Sequence, residues 1–290
     1  MSGDGFLEVN GLRLHYRDWG GSGHPVLLLH GLASTCRIWD MVAPRLARSF
    51  RVVGLDLRGH GLSQQPDEGY DLPTVAGDVL AALEALGMET AVLVGHSWGA
   101  HVALECALRR PFPALVLVDG GFLELSSWLP WEEVWRELAP PRLDGLTLDA
   151  FLAQGRLYYA SFWSPAVEEV ARSLVEVQGD GTIRPRLRRE NHRRVLQGLY
   201  EQRPSQLYPH VRCPVLLVAA REEPRRERER RWLLLKEEGV RQAQRLLPRA
   251  RVLWLEDTVH DVPLQRPEEL AAAIESFLRG VLSPIDPGRG

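Results

Sequence analysis

The most informative group of residues in this sequence is a serine flanked by glycines. Residues 95–99 read Gly-His-Ser-Trp-Gly; they follow the apolar run 92–94 and precede a helical pattern. A sharp strand-to-helix turn of this kind exposes the serine hydroxyl on a strained backbone, and only small residues two positions away let the two backbones pass. Gly95 and Gly99 meet that requirement. The motif therefore predicts that Ser97 is a nucleophile.

A serine hydroxyl needs an adjacent base before it can attack a carbonyl carbon. His260 follows the last apolar run, residues 252–255, and no other histidine lies so late in the chain. His30, which precedes Gly31 at the end of an earlier apolar run, is expected to organise its loop through hydrogen bonds instead. The pair of Ser97 and His260 predicts acyl transfer through a covalent acyl-enzyme that water releases.

Two backbone N–H groups are candidates for the site that holds the negative oxygen formed during acyl transfer. The helix that begins at Trp98 directs its free N–H groups and the positive end of its dipole towards the serine oxygen. A second donor is expected just after the apolar run 26–30, at Leu32. We therefore predict that the N–H groups of Leu32 and Trp98 form an oxyanion hole.

Four segments together resemble the α/β-hydrolase superfamily. They are HGLAST from His30, DLRGHGLS from Asp56, GHSWGAH from Gly95 and HDVPLQRP from His260, and they span nearly the whole chain in the family's order. The resemblance implies a serine hydrolase of the carboxylesterase type, whose catalytic residues follow the order nucleophile, acid, histidine. It also implies that Asp56 and Arg58 are a loop-bracing pair outside the chemistry.

The acid that should orient His260 has two candidates. In the commonest pattern of the family an aspartate follows the strand that corresponds to residues 215–220. This sequence has Glu223 there, within a mixed-charge run, residues 221–232, that is expected to form a solvated helix face with i,i+4 ion pairs. Asp119 ends the run 115–119, at the alternative position used by some members. It lies at the carboxyl end of a core strand, where the sites of such sheets are found, and its setting looks buried, which slightly favours it over Glu223. Both candidates remain open.

The elements that must position these residues alternate along the chain. Short apolar runs without strict alternation indicate strands covered on both faces, and they lie at residues 26–30, 52–57, 91–95, 115–119, 215–220 and 252–255. Helical patterns lie at residues 72–86, 98–108 and 267–278. An antiparallel hairpin is expected around Asn10-Gly11. This order predicts an α/β fold with a mostly parallel, doubly wound sheet of the α/β-hydrolase type.

The alternation stops after residue 121 and resumes at residue 211. The intervening residues carry helical patterns but no convincing strand, and they are too many for an unstructured loop. We interpret them as a helical lid inserted between core strands. The predicted division is a core (residues 1–121 and 211–282), a lid (residues 122–210) and a tail (residues 283–290). Most lid aromatics should pack on the core, and Trp128, Trp131 and Trp163 are expected to line an apolar substrate pocket.

Composition and charge argue against several classes of protein. The 290 residues are 45% hydrophobic and carry a net charge of −3, so the chain as a whole does not attract nucleic acid or an anionic membrane. No apolar run reaches the ~20 residues of a membrane span and no signal segment precedes the first strand, so a cytoplasmic location is expected. Three scattered cysteines, and the absence of a metal-binding or phosphate-binding motif, predict an enzyme that needs no metal or cofactor. We expect a monomer or a homodimer.

The expected substrate is a carboxylic ester with a small to medium, apolar acyl or alcohol part. Lactone hydrolysis, C–C bond hydrolysis and perhydrolysis use similar triads and remain alternatives. Haloalkane dehalogenases and epoxide hydrolases look similar around residue 97 but carry aspartate there, so Ser97 argues against both. A ligand receptor on the same fold, without catalysis, is the alternative from another class.

Overall fold

A computed structural model describes residues 3–282 of the chain. Its strands, labelled in chain order, are β1 (Gly3–Val9), β2 (Leu12–Gly20), β3 (Pro25–Leu29), β4 (Arg51–Leu55), β5 (Val92–His96), β6 (Leu115–Val118), β7 (Val175–Val177), β8 (Ile183–Pro185), β9 (Val215–Arg221) and β10 (Ala250–Glu256). Its α-helices are α1 (Ala43–Leu46), α2 (Leu72–Ala85), α3 (Trp98–Ala107), α4 (Leu125–Trp128), α5 (Trp131–Leu138), α6 (Leu148–Tyr158), α7 (Pro165–Ser173), α8 (Arg189–Glu201), α9 (Pro204–Leu207), α10 (Glu227–Leu246), α11 (Val262–Gln265) and α12 (Pro267–Leu282).

Eight of the strands form one sheet in the order β1-β2-β4-β3-β5-β6-β9-β10. β2 pairs antiparallel with β1 and with β4, whereas all the other neighbouring strands of the sheet run parallel. The opening hairpin follows from Asn10 and Gly11, whose positive φ values of 51° and 72° suit a two-residue turn. The predicted fold class, a mostly parallel α/β sheet that begins with a hairpin, is confirmed.

Helices cover both faces of this sheet, because its central strands are apolar on both sides. Every residue of β5 and β6 is buried. On one face α2, α3 and α10 pack with Leu93 and Leu117. On the other face α1 and α12 pack with Val94 and Val116. Neighbouring residues of one strand therefore belong to opposite cores, which is why the strand signal in the sequence is a continuous apolar run.

The segment between β6 and β9 carries helices α4 to α9 and lies where the lid was predicted. It also contains a pair of strands that the sequence did not lead us to expect, since β7 and β8 pair antiparallel. Each strand has three residues, one of them charged, so the apolar signal is weak. The available signal was the turn at Asp180-Gly181, where Gly181 has a φ of 81°. The expectation of no strand in this segment was wrong; its boundaries at residues 122 and 210 stay a prediction.

The mixed-charge run that enters α10 pairs along its own helix, through Arg230 and Glu227, and also with the segment inserted between β6 and β9, called the insert below. Arg228 pairs with Glu137, and Arg231 pairs with Glu133; both glutamates lie on α5 of the insert. These pairs join α10 to the inserted segment, whereas the sequence pattern suggested i,i+4 pairs along one helix. The run therefore helps to hold the insert against the core.

Across residues 3–282, no helix has both the length and the apolar character needed to cross a membrane. The predicted tail, residues 283–290, lies outside the described residues.

Candidate active site

Ser97 lies at the sharp turn between β5 and α3. Its backbone has φ 53° and ψ −118°, a conformation that residues with a side chain rarely adopt. The flanking glycines explain why the turn can close. A Cβ on Gly95 would overlap the carbonyl group of Gly99, and a Cβ on Gly99 would lie 2.5 Å from the carbonyl oxygen of Leu29. The strand, turn and helix that were predicted around Ser97 are thus present.

Three polar side chains from distant parts of the sequence meet at the carboxyl edge of the sheet. The hydroxyl of Ser97 donates to Nε2 of His260 over 2.9 Å, and the Nδ1–H of His260 donates to Oδ2 of Asp119 over 2.7 Å. Asp119 directly follows β6, and His260 lies in the loop between β10 and α11. The arrangement is that of a nucleophile, a base and an acid that orients the base.

Asp119 is enclosed, with 0% of its side chain exposed, and both of its carboxylate oxygens accept hydrogen bonds. Oδ1 accepts from the N–H of Ala220 over 2.9 Å, and Oδ2 accepts from Nζ of Lys236 over 2.8 Å as well as from His260. Burial alone would raise the pKa of Asp119. The charge of Lys236 and the hydrogen bond from His260 outweigh burial and hold that pKa well below its usual value. The carboxylate of Asp119 is therefore ionised at neutral pH.

Glu223, the other candidate acid, lies in the segment between β9 and α10 and is exposed to solvent. Both ring nitrogens of His260 already have partners, Ser97 and Asp119. The geometry therefore favours Asp119 as the acid of the site.

His260, the predicted base, is open to solvent, with 53% of its side chain exposed. Desolvation lowers the pKa of His260, but the hydrogen bond and the charge of Asp119 outweigh it, so the pKa lies above its ordinary value. His96 is buried and donates from Nε2 to the carbonyl oxygen of His260 over 2.9 Å. Burial and the neighbouring His260 lower the pKa of His96 to about 4. His96 is therefore neutral at pH 7, and it stabilises the loop that carries His260 without adding a charge.

The two predicted oxyanion donors lie on segments that adjoin Ser97. Trp98 is the first residue of α3, so its N–H has no acceptor within the helix. On the other side, a Cβ on Gly31 would lie 3.5 Å from Oγ of Ser97, and Leu32 is the next residue. His30 organises this loop: its Nδ1–H donates to the carbonyl oxygen of Gly31 over 2.7 Å, and its Nε2 accepts a backbone N–H from the loop after β4 over 3.0 Å. The oxyanion role stays a prediction that this arrangement supports.

A comparison with known protein families bears on the same residues. The sequence profile of the alpha/beta hydrolase family matches residues 26–273, a range that contains all three residues of the triad-like arrangement. This chain belongs to the alpha/beta hydrolase family.

Three known proteins show what this alpha/beta hydrolase is similar to. N-formylmaleamate deformylase of Pseudomonas putida is 29% identical over 282 residues, 94% of this chain and 96% of its own. Non-heme chloroperoxidase of Streptomyces lividans is 42% identical over 145 residues, 49% of either chain. The crystal structure of E-2-(acetamidomethylene)succinate hydrolase has a TM-score of 0.78 and 25% identity, covering 96% of this chain and 99% of that one. Membership therefore supports hydrolase activity, whereas the activities named for these relatives differ from one another.

The inserted segment of this hydrolase holds the three tryptophans predicted to line a pocket. Trp128 and Trp131 are half-buried in a cluster built on Leu125 and other apolar residues of the insert. Trp163 is half-buried against the apolar core on the face of the sheet that α1 and α12 cover, where it lies close to Gly155. Packing accounts for part of each ring, as expected for most lid aromatics. A role of these tryptophans in a substrate pocket stays a prediction.

Two residues beside the hydrogen-bonded line of Ser97, His260 and Asp119 were missed by sequence reasoning. Lys236, in α10, contacts Asp119 directly; its only sequence signal is that it is the single lysine of the chain. Tyr159, in the insert, donates its hydroxyl to Oδ2 of Asp261 over 2.7 Å, and Asp261 is the residue after His260. Tyr159 is one of many aromatic residues in the insert, so nothing local in the sequence distinguished it.

Asp56 and Arg58 brace loops of this hydrolase, as expected, although they do so through separate partners. Nε–H of Arg58 donates to Oδ2 of the buried Asp78 over 2.5 Å. The carboxylate of Asp56 accepts the N–H of Cys36 over 2.6 Å and the Nδ1–H of His15 over 2.8 Å. Their partners come from β2, α2 and the loop after β3, so the two residues brace different parts of the loops at this edge of the sheet.

Among residues 3–282, the donor atoms of His15, Cys36 and Asp56 form a group that could hold a metal ion, all within 4.8 Å of one another. Burial and the charge of Asp56 raise the pKa of the Cys36 thiol well above its usual value, which opposes the thiolate that a metal would need. The carboxylate of Asp56 is also already occupied by three N–H donors, the third from Leu62 over 3.0 Å. The donor set fits a loop brace better than a metal site.

Proposed function

We propose that this alpha/beta hydrolase cleaves carboxylic esters with a small to medium, apolar acyl or alcohol part. The observation that carries the proposal is the continuous hydrogen-bonded line from Ser97 through His260 to Asp119, with distances of 2.9 and 2.7 Å. The apolar preference rests on the tryptophans and other aromatic residues of the insert. The reaction passes through an acyl-enzyme on Ser97.

In the first half of the proposed reaction, His260 takes the proton of Ser97 on Nε2 while the serine oxygen attacks the ester carbonyl carbon. Asp119 holds the Nδ1–H, so the lone pair that accepts the proton lies on the nitrogen that faces Ser97. The tetrahedral intermediate places its negative oxygen near the N–H groups of Leu32 and Trp98. His260 then returns the proton to the leaving alcohol oxygen.

In the second half, water replaces the alcohol. His260 takes a proton from the water, whose oxygen attacks the acyl carbon, and the proton finally returns to Ser97 as the acid departs. The 53% exposure of the His260 side chain is consistent with water reaching the base.

A second candidate reaction is the hydrolysis of the C–N bond between a small acyl group and a nitrogen atom. It is supported by two relatives that align along nearly their whole length and whose names refer to an N-formyl and an acetamido compound. The same residues serve this reaction, but His260 must then deliver its proton to a leaving nitrogen. The ratio of kcat/KM for matched acetyl esters and N-acetyl enamides separates the two reactions.

The test combines p-nitrophenyl esters of increasing acyl length with a fluorophosphonate probe. We expect hydrolysis by the wild-type protein and covalent labelling of the peptide that contains Ser97. Ser97→Ala should abolish both, whereas Ser161→Ala, at an exposed serine of the insert, should leave both unchanged. Absence of labelling together with absence of hydrolysis would contradict the proposal and favour a receptor. Activity confined to lactones, C–C substrates or peracid formation would replace the ester assignment but keep Ser97.

A further inference from the structure

Lys236, the only lysine among the 290 residues, lies against the acid of the triad. Its Nζ donates to Oδ2 of Asp119 over 2.8 Å and to the carbonyl oxygen of Ala220 over 2.8 Å. Only 20% of its side chain is exposed. All the other residues counted as lysine or arginine are arginines. The single ammonium group lies where a compact charge can reach between the end of β9 and the enclosed carboxylate of Asp119.

The hydrogen bonds around Asp119 give this contact a defined role. Oδ2 receives Lys236 and His260, while Oδ1 receives the N–H of Ala220, so three donors fix the plane of the carboxylate. The backbone of Asp119 has a φ of 42°, which costs energy for a residue with a side chain. A carboxylate on such a backbone needs surrounding contacts to hold it in place.

Helix α10 holds Lys236 through contacts on both sides. Gly239, one turn further on, lies so close to the carbonyl of Phe122 that a Cβ there would overlap it. Earlier in the helix, Arg228 and Arg231 pair with glutamates of α5 in the insert. The ammonium group is therefore carried by a helix that is packed against the start of the insert and paired with its α5.

We propose that Lys236 is a positioning residue of the proposed hydrolase, which holds the carboxylate of Asp119 in the plane that His260 needs and balances its charge. The proposal rests on the proposed function, because it assigns a role within that same triad. Lys236 acts through Asp119 and does not need to touch the substrate.

The charged and titratable groups at the contact between Lys236 and Asp119 come from several elements of the fold. They are His96 on β5, Asp119 after β6, Lys236 on α10, and Asp261 with its partner Tyr159 on the histidine loop and insert; next to Lys236, Glu237 pairs with Arg221 over 3.1 Å. The ammonium group of Lys236 is bonded to the same carboxylate oxygen as His260, and its positive charge makes protonation of the His260–Asp119 pair less favourable. Removal of that charge should let the pair retain its proton to higher pH.

The experiment compares Lys236→Met with Lys236→Arg in the full chain. For Lys236→Met we expect the acid limb of the pH profile of kcat/KM to move up by about one pH unit, with about a tenfold loss on that limb that recovers above pH 9. Lys236→Arg should restore the limb to within about a quarter of a pH unit, since it keeps the charge. A purely structural role would lower the rate at every pH without moving the limb, and that result would overturn the proposal.

A second readout separates failure of this proposal from failure of the proposed function. In histidine-labelled protein, NMR follows the titration of the His260 ring whether or not the protein hydrolyses anything. An unchanged titration midpoint in Lys236→Met, with thermal melting showing a folded protein, would refute the role of Lys236. An upward shift in a protein whose Ser97 does not react with fluorophosphonate would support Lys236 and refute the hydrolase function. With labelled lysine, the wild-type spectrum contains one side-chain signal, whose shift in Asp119→Asn checks the contact directly.

Discussion

Nδ1 of His260 lies 2.7 Å from Oδ2 of Asp119, although 141 residues separate them in the chain. The contact exists because β6 and β10 end at the same edge of the sheet, with β9 between them. A parallel sheet brings the residues that follow its strands together there, whatever their distance in sequence. Ser97, which follows β5, joins the same edge from the next strand.

The choice of acid can be tested by two substitutions that remove one charge each. Asp119→Asn should lower kcat by about 10,000-fold, because an amide in place of the carboxylate can no longer fix the tautomer of His260 or stabilise its protonated form. Glu223→Gln should stay within about twofold of wild type, since Glu223 is exposed. The measurement is steady-state hydrolysis of a p-nitrophenyl ester. If Glu223→Gln caused the large loss instead, the assignment of Asp119 would be wrong.

The sequence predicted some parts of this site and not others, for physical reasons. Ser97 could be found because its strand, turn and helix are consecutive, so the motif and its context are read together. The choice between the two candidate acids could not be made from sequence, because Asp119 and Glu223 both follow strands that end at one edge of the sheet. The choice depends on which side chain faces inwards. Lys236 reaches Asp119 from a helix 117 residues away, and no local pattern encodes such a contact.

The tight passage of α3 past β3 predicts different effects for two glycine substitutions. Gly99→Ala should lower the free energy of unfolding by about 3 kcal/mol and reduce turnover, because its Cβ would lie 2.5 Å from a backbone oxygen of Leu29 and displace the turn of Ser97. Gly77→Ala is the matched control. Gly77 is inside α2 with its nearest contact at 3.9 Å, so alanine should stabilise the fold by about 0.5–1 kcal/mol. Urea unfolding measures both; equal effects would show that the turn tolerates a side chain.

Neighbouring tyrosines of the insert offer a test of how the insert is held near the base. Tyr159→Phe should cost about 1.5 kcal/mol of unfolding free energy and lower kcat/KM several-fold, because Asp261 loses a hydrogen bond of 2.7 Å beside His260. Tyr158→Phe should change the unfolding free energy by less than about 0.5 kcal/mol, since the Tyr158 residue is 77% exposed. Thermal melting and ester kinetics on both variants make the comparison. Indistinguishable variants would mean that the contact with Asp261 does not hold the loop.

Acid should destabilise the fold through its buried histidines, and His101 allows one of them to be isolated. His101 donates from Nδ1 to Gln202 over 2.7 Å, and burial lowers its pKa to about 4. An unfolded histidine has a pKa of about 6.5, so below that pH the unfolded chain binds a proton that the folded protein refuses until about pH 4. Stability from neutral His101 is therefore present above pH 6.5 and is lost as the pH falls to about 4.

The variant His101→Gln removes this titration, with His210→Gln, at an exposed position, as the control. At pH 7.5 we expect His101→Gln to be less stable than wild type, because it loses packing and the bond to Gln202. Between pH 6 and pH 4.5 the difference should shrink by about 1.4 kcal/mol per pH unit, since only the wild type still loses stability through residue 101. Urea unfolding at four pH values measures the difference. A constant difference would show that His101 titrates alike in the folded and unfolded states, and that burial in α3 leaves its proton affinity unchanged.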